Sequence, residues 1–252
     1  MLENGALLVQ PLRGIPRVEK GADIAQLILG AMRASDLQLQ DKDIIVIAQK
    51  IISKAEGRSV DLETVVPSQR AVELGVAANK DPRLVELILR ESNEVLRVRP
   101  GVIIVEHRSG IVLANAGIDR SNVGDDRVLL LPVDPDRSAS TIRGELREKS
   151  GTDVGVMIID SIGRAWRNGT IGTVIGASGL TTLLDLRGKP DLFGRKLETT
   201  EVGSGDEVAA AASLMMGQAD EGHPVVLVRG LDMSGSGSAR DLLRTKNLDL
   251  FR

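Results

Sequence analysis

Val102-Ile-Ile-Val-Glu-His-Arg-Ser-Gly-Ile-Val-Leu-Ala114 decides the fold class of this chain. Two strand-like runs, residues 102–106 (apolar up to Val105) and 111–114, are separated by His107, Arg108, Ser109 and Gly110. A polar break of that length with a glycine predicts a hairpin, and a hairpin requires antiparallel pairing. Elsewhere helical and strand patterns alternate, but not as regular βαβ units. The expected class is therefore α+β, with mixed sheets in two subdomains.

Downstream of the hairpin, the second strand runs directly into Ala114-Asn-Ala-Gly-Ile-Asp-Arg-Ser-Asn122. Asn115, Asp119, Arg120, Ser121 and Asn122 put five polar side chains into eight residues. A second apolar run, residues 154–159, stops at Asp160 and is expected to end there. Residues 138–149 read as a helix, with Gly151 as its stop. Residues 163–194 are rich in Gly, Arg and Asn and predict short strands and loops. Residues 206–216 form an Ala-rich helix stopped by Gly217, residues 224–228 a last strand, and residues 239–245 a closing helix.

Upstream, Asp23 caps a helix carrying Ile24, Leu27, Ile28 and Met32 at helical spacing. Residues 43–48 are a buried-strand run, followed by Lys50, Ser53, Lys54, Glu56 and Arg58. Pro67-Ser68 opens another helix, and Asp81-Pro82 the next, with Leu84, Leu87 and Ile88 on one face.

The composition narrows the function. Of 252 residues, 42% are hydrophobic and 27% charged, as in an ordinary globular protein. Aromatic residues make up 1%, namely Trp166, Phe193 and Phe251, so a base-stacking surface for single-stranded nucleic acid is not expected. A net charge of −3 argues against a general polyanion-binding surface. There is no cysteine, which removes disulfides, thiolate-held zinc and cysteine nucleophiles, and fits a reducing cytoplasm. Apolar runs fall far short of the roughly 20 residues that span a bilayer, so no membrane partner is expected. Neither G-x-x-x-x-G-K-[ST] nor G-x-G-x-x-G nor H-E-x-x-H occurs.

What remains is a set of oxygen donors and cations. Asp119 and Asp160 suit a hard divalent ion, which takes one or two carboxylates together with substrate phosphates. Ser161 adds a hydroxyl beside Asp160, and Asn122 can bond a phosphate or sugar. The competing reading is that Asp119 and Asn122 satisfy turn backbone groups and Asp160 caps the next segment. Lys50 and Lys54, spaced by four after a buried strand, suit a triphosphate or an acidic substrate, or else line a solvated face. Arg164, Arg167 and Arg195 are expected to add positive charge near Asp160. Met216, Gly217, Gln218, Ala219, Asp220, Glu221, Gly222 and His223 end a helix in a glycine-flanked loop, which taken alone is a helix stop.

These segments also carry a resemblance. Gln49-Lys-Ile-Ile-Ser-Lys-Ala-Glu-Gly57, Asn115-Ala-Gly-Ile-Asp-Arg-Ser-Asn122, Asp160-Ser-Ile-Gly-Arg164, Phe193-Gly-Arg-Lys-Leu-Glu198, Met216-Gly-Gln218 and Val228-Arg-Gly-Leu231 resemble the coenzyme F-420:L-glutamate ligase family (F-420-0:gamma-glutamyl ligase). The likeness extends from about Leu8 to Leu231. It implies a cytoplasmic GTP-dependent ligase that adds L-glutamate to coenzyme F-420-0, a deazaflavin, and γ-linked glutamates after it. GTP phosphorylates the acceptor's carboxylate, and the glutamate amine displaces phosphate from the acyl phosphate. The implied cofactors are two divalent cations, Mg²⁺ or Mn²⁺, with K⁺ in some members. The implied assembly is an intertwined homodimer of two α+β subdomains.

By position, the resemblance assigns Asp119 and Asp160 to the first metal, Ser161 and Gln218 to the second. Asp119, Asp160 and Lys54 form the implied catalytic set. The implied nucleotide contacts are Ile15, Pro16, Arg17, Val18, Gln49, Lys50, Lys54, Asn122 and the loop of residues 216–223. Members often carry Thr in place of Ser161 and Glu in place of Gln218. Some relatives continue into a nitroreductase-like domain, and none is expected within these 252 residues.

Overall fold

A computed structural model describes residues 5–120 and 126–251. From the N-terminus, strand β1 (Leu8–Pro11) leads to helix α1 (Ile24–Ala34). The α1 cap is Asp23, whose carboxylate accepts the Gln26 amide at 2.8 Å. Strand β2 (Ile44–Ala48) passes without a linker into α2 (Gln49–Ala55). A short strand β3 (Ser59–Asp61) follows, then α3 (Gln69–Ala78), which starts as expected after Pro67-Ser68 with Ser68 as its cap, and α4 (Pro82–Arg90), capped by Asp81 as expected.

The stretch that decided the class forms the expected hairpin, β5 (Val102–His107) and β6 (Val112–Ala114), after β4 (Ser92–Arg99). All pairings in this three-stranded sheet are antiparallel. Strand β7 (Arg127–Leu129) pairs with β3 in a separate two-stranded ribbon. Helix α5 (Pro135–Ser150) begins three residues before its sequence signal, because Asp134 caps it and Pro135 sits in its first turn. Gly151, with φ +75°, stops it.

Strand β8 (Gly155–Arg164) does not end at Asp160; it continues through that residue, paired with β9 (Arg167–Ser178). The glycine-rich stretch expected to be short strands and loops therefore contains a 12-residue strand. Small strands β10 (Leu184–Asp185) and β11 (Glu201–Val202), helix α6 (Ser204–Met216) and strand β12 (Val225–Arg229) complete the regular elements. The closing helix is reduced to a 3₁₀ turn over Ala239–Leu242, where the Asp241 carboxylate accepts the Ser238 amide at 2.8 Å.

The main sheet runs β1-β12-β2-β8-β9. Only β2 and β8 are parallel. Where both faces are covered the strands are apolar, as over residues 44–48, 155–159 and 225–228, and successive residues feed different cores. Ile45 and Ile47, Val156 and Ile158, and Val225 and Leu227 face α1 and α5. Ile44 and Val46, Met157 and Ile159, and Val226 and Val228 face α6. A third apolar cluster joins α3, α4, β5 and β7 through Leu74, Val85, Ile88, Ile103, Val105 and Val128. Just before the central strand β2, Asp43, 1% exposed, receives two bonds of 2.7 Å from Arg229.

A β-bulge lies in β9, where Ile158 pairs with Gly176 but Ile159 pairs with Val174. It reverses which face each β9 residue takes. A Cβ on Gly172 would lie 2.4 Å from the Ala209 carbonyl oxygen of α6, whereas one on Gly176 would lie 2.4 Å from the Pro135 backbone of α5. The bulge also diverts the Val174 amide to the Asp206 carboxylate, at 2.9 Å, in the first turn of α6.

Candidate active site

The last β2–β8 pair is Ala48 with Ile159. Beyond it β2 turns away into α2, while β8 continues, paired with β9. Asp160 is thus the first β8 residue past the carboxyl end of its parallel neighbour. In open sheets with parallel strands, ligands sit in such a crevice. A cavity of about 170 Å³ opens here. Gln49 and Lys50 of α2, Asp160 and Ser161 of β8, and Ser213, Gly217, Gln218 and His223 around the α6 terminus are among its lining residues.

On one side of β8, Lys50 Nζ lies 2.7 Å from Asp119 Oδ2. Asp119 is held in place by backbone pairing with Leu129, its amide and carbonyl both bonded there at 3.0 and 2.8 Å. Burial, and then the charge of Asp119, push the Asp160 carboxyl up to about 6, against the lowering effect of the Ser161 amide and Lys50. Lys54, one turn beyond Lys50, has its ammonium pushed below its ordinary value by burial, then by the charges of Lys50 and Arg17. Two carboxylates and three cations are thus electrostatically coupled at this spot.

Ser161 follows Asp160 on an extended strand, so its side chain leaves the opposite face. Its hydroxyl donates to Gln218 Oε1 at 2.7 Å. Gln218 Nε2 in turn donates to Ser213 Oγ at 3.0 Å, which fixes the amide with its oxygen toward β8. In the loop after α6, Gly217 turns the chain with φ +74°, and Glu221 folds back to accept the Ala219 amide at 2.8 Å. Its own amide and that of Ala219 hold the Glu221 carboxyl below the usual range.

The donors suit a hard divalent ion: carboxylate, hydroxyl and amide oxygens, with no sulfur. Among the described residues no three His, Asp or Glu side chains cluster as a ready protein cage. A site with one or two carboxylates that leaves the remaining positions to substrate phosphates and water matches that arrangement.

A family model described as F420-0:Gamma-glutamyl ligase matches residues 14–230. The chain belongs to the F420-0:gamma-glutamyl ligase family. A Methanothermobacter thermautotrophicus protein named Coenzyme F420:L-glutamate ligase is 48% identical over 244 residues, covering 96% of this chain and 97% of that protein. Proteins of the same name from Methanopyrus kandleri and Methanocaldococcus jannaschii are 46% and 47% identical over 251 and 215 residues. The first covers 98% of both chains, the second 85% of this one and 86% of its own length.

Of the family-implied site residues, Gln49, Lys50, Asp160, Ser161, Met216, Gly217, Gln218, Ala219, Gly222 and His223 line the one cavity. Asp119 and Lys54 are linked to it through Lys50 and Asp160. Arg17 reaches Lys54 electrostatically, while Val18 is buried in the core, Ile15 packs against it and Pro16 is exposed. Asp220 and Glu221 are exposed in the same loop. Gln49 is 2% exposed and its side-chain oxygen is engaged by the Ser53 hydroxyl at 2.8 Å. Ser121 and Asn122 lie outside the described residues.

Arg164 and Arg167 are not beside Asp160. They pair with each other at the far end of the β8–β9 hairpin, because an extended strand carries each residue about 3.3 Å further away. Ser213 is the residue that sequence reasoning missed; its only signal is a hydroxyl near the end of an Ala-rich helix. Arg120 lies close enough to Lys80 and Asp81 to shift both. No described helix is long and apolar enough to cross a membrane.

Proposed function

We propose that this protein is a GTP-dependent ligase that joins L-glutamate to coenzyme F420-0 through an amide bond. The observation that carries this reading is the crevice at the end of the β2–β8 parallel pair, where coupled Asp119 and Asp160 meet Lys50, and Ser161 meets Gln218. Family membership and the names of its relatives supply the substrates.

A carboxylate does not react with an amine until it gains a leaving group. In the proposed sequence the acceptor's carboxylate oxygen attacks the γ-phosphorus of GTP, and the β–γ bridging bond breaks to release GDP. The amine nitrogen of glutamate then attacks the acyl phosphate carbon, the C–O bond to phosphate breaks, and the amine loses a proton to give the amide.

Asp119 and Asp160 would hold one Mg²⁺ or Mn²⁺, and Ser161 and Gln218 a second. The ions, when bound, supply charge neutralisation at the transferring phosphate. Lys50 and Lys54 hold negative charge at the crevice as fixed cations. Arg17 adds to that field from the segment before α1. Ser213 keeps the Gln218 oxygen turned toward β8. No covalent enzyme nucleophile is needed, in keeping with the absence of cysteine. An intertwined homodimer is part of the same proposal.

The test is mass spectrometry of the products after incubation with coenzyme F420-0, glutamate, GTP and Mn²⁺. The expected result is a glutamylated product with stoichiometric GDP. GDP release without glutamate incorporation would instead make this a nucleotide hydrolase using the same crevice.

A further inference from the structure

Two of the three aromatic residues in the chain stand together. Trp166, between β8 and β9, and Phe251, near the C-terminus, have ring centroids 6.1 Å apart and planes tilted by 54°. The Arg244 guanidinium sits 5.7 Å from the Phe251 ring centre. These rings do not serve a core: Trp166 is 87% exposed and Phe251 53% exposed. Trp166 also has φ +65°, in the left-handed region where hairpins favour Gly or Asn. Arg164 and Arg167 pair directly beside it, placing like charges opposite each other. An exposed indole, a disfavoured backbone and opposed cations all work against stability and solubility. Conformations of that kind cluster where ligands bind.

The hairpin ties this cluster to the crevice. Arg164 is four residues along β8 from Asp160, about 13 Å at 3.3 Å per residue. A molecule with a planar ring at one end and a reactive carboxylate at the other, joined by an extended acidic tail, has the form to lie along it.

We propose that Trp166 and Phe251 form the stacking platform for the acceptor's planar heteroaromatic ring, with Arg164, Arg167 and Arg244 as countercharges for its acidic tail. This rests on the ligase reading, which supplies the acceptor. The guanine of the nucleotide is the other planar ring available; the proposal assigns the platform to the acceptor because the loop of residues 216–223 lies at the opposite end of the β8 segment.

The test uses the full chain, with steady-state ligation and calorimetric titration of coenzyme F420-0. Trp166→Ala is expected to raise the acceptor KM by about 5-fold to 100-fold, the range for a ring stacked on an aromatic side chain. The GTP and glutamate KM values and kcat stay within about twofold. Trp166→Phe recovers most of the loss, and Phe251→Ala gives a smaller rise in the same parameter. Trp166 is a surface residue, so thermal unfolding should not move. An unchanged acceptor KM in Trp166→Ala overturns the platform. A rise in the GTP KM assigns the ring to guanine and also overturns it. Conversion of dimer to monomer in sedimentation would make the cluster a contact between copies. If the wild-type chain yields no product, the ligase reading fails, and calorimetry alone decides the platform: wild type should bind the acceptor more tightly than Trp166→Ala by the same factor, and equal binding overturns it.

Discussion

Ser161 Oγ lies 2.7 Å from Gln218 Oε1, joining the middle of a β-strand to the loop after α6. The proposed second metal here would meet a neutral amide oxygen at Gln218 rather than a carboxylate. A carboxylate binds a divalent cation more strongly than an amide oxygen does. Gln218→Glu is therefore expected to tighten binding of the second Mn²⁺ by about tenfold, or about 1.4 kcal/mol. Two-site calorimetric titration with Mn²⁺ reads this directly. Equal affinities in wild type and variant would remove Gln218 from the metal set.

Asp160 tests the other pair. Asparagine keeps an oxygen to accept the Ser161 amide, which the carboxylate now takes at 2.8 Å, but removes the charge. It also ends the repulsion from Asp119 that helps raise the Asp160 carboxyl. Asp160→Asn should fold at least as stably as wild type yet lose about 100-fold or more in kcat, on the scale of deleting one preorganised electrostatic group. Product formation at saturating Mn²⁺, together with a melting curve, separates the two effects. Retained activity with unchanged metal dependence would exclude Asp160 from the centre.

What the sequence makes legible follows what is local. Asp23, Ser68 and Asp81 announce their helices because capping is a contact within one turn. The hairpin of β5 and β6 is legible because its turn and both apolar runs are contiguous. Strand β9 is not: its glycines look like loop signals, yet Gly172 and Gly176 are small because α6 and α5 press against them. That pressure comes from residues distant in sequence. The same limit applies to the site. Asp119 and Asp160 stand out as acids after apolar runs, but the role of Ser213 depends on Gln218 reaching back across α6. Arg164, close to Asp160 in sequence, is carried away by the straightness of β8.

Asp206 gives a pH test of the bulge. Burial raises its carboxyl above the ordinary value, against the bond from the Val174 amide. A carboxyl with a raised folded pKa disfavours the native state while it is ionised. That penalty is present above the folded pKa and disappears as pH falls below the unfolded value of 3.8. Asp206→Asn keeps the acceptor for Val174 and removes the charge, so its melting temperature should rise relative to wild type as pH increases from about 4 to 7. Asp206→Ala leaves the Val174 amide unpaired and should be about 1–3 kcal/mol less stable than Asp206→Asn at any pH in that range. A constant difference between the Asn variant and wild type across the titration would contradict the assignment.

Gly172 links packing to function. A methyl group there meets the Ala209 carbonyl oxygen at 2.4 Å and Ser213 Cβ at 2.6 Å, and the backbone of a seated helix has little room to yield. Gly172→Ala must therefore push the end of α6 outward from β9, at about 1–3 kcal/mol for overpacking. Ser213 moves with it, and Ser213 orients Gln218, whose oxygen meets Ser161. The variant should lose both stability and affinity for nucleotide with Mn²⁺, whereas Gly163→Ala, on the same hairpin with open space around its Cβ, should change neither by much. Chemical denaturation and nucleotide titration on the two variants check the pair. If Gly172→Ala loses stability but binds nucleotide and Mn²⁺ as wild type does, the position of α6 does not control the crevice, and the geometry around Gln218 is held by its own loop instead.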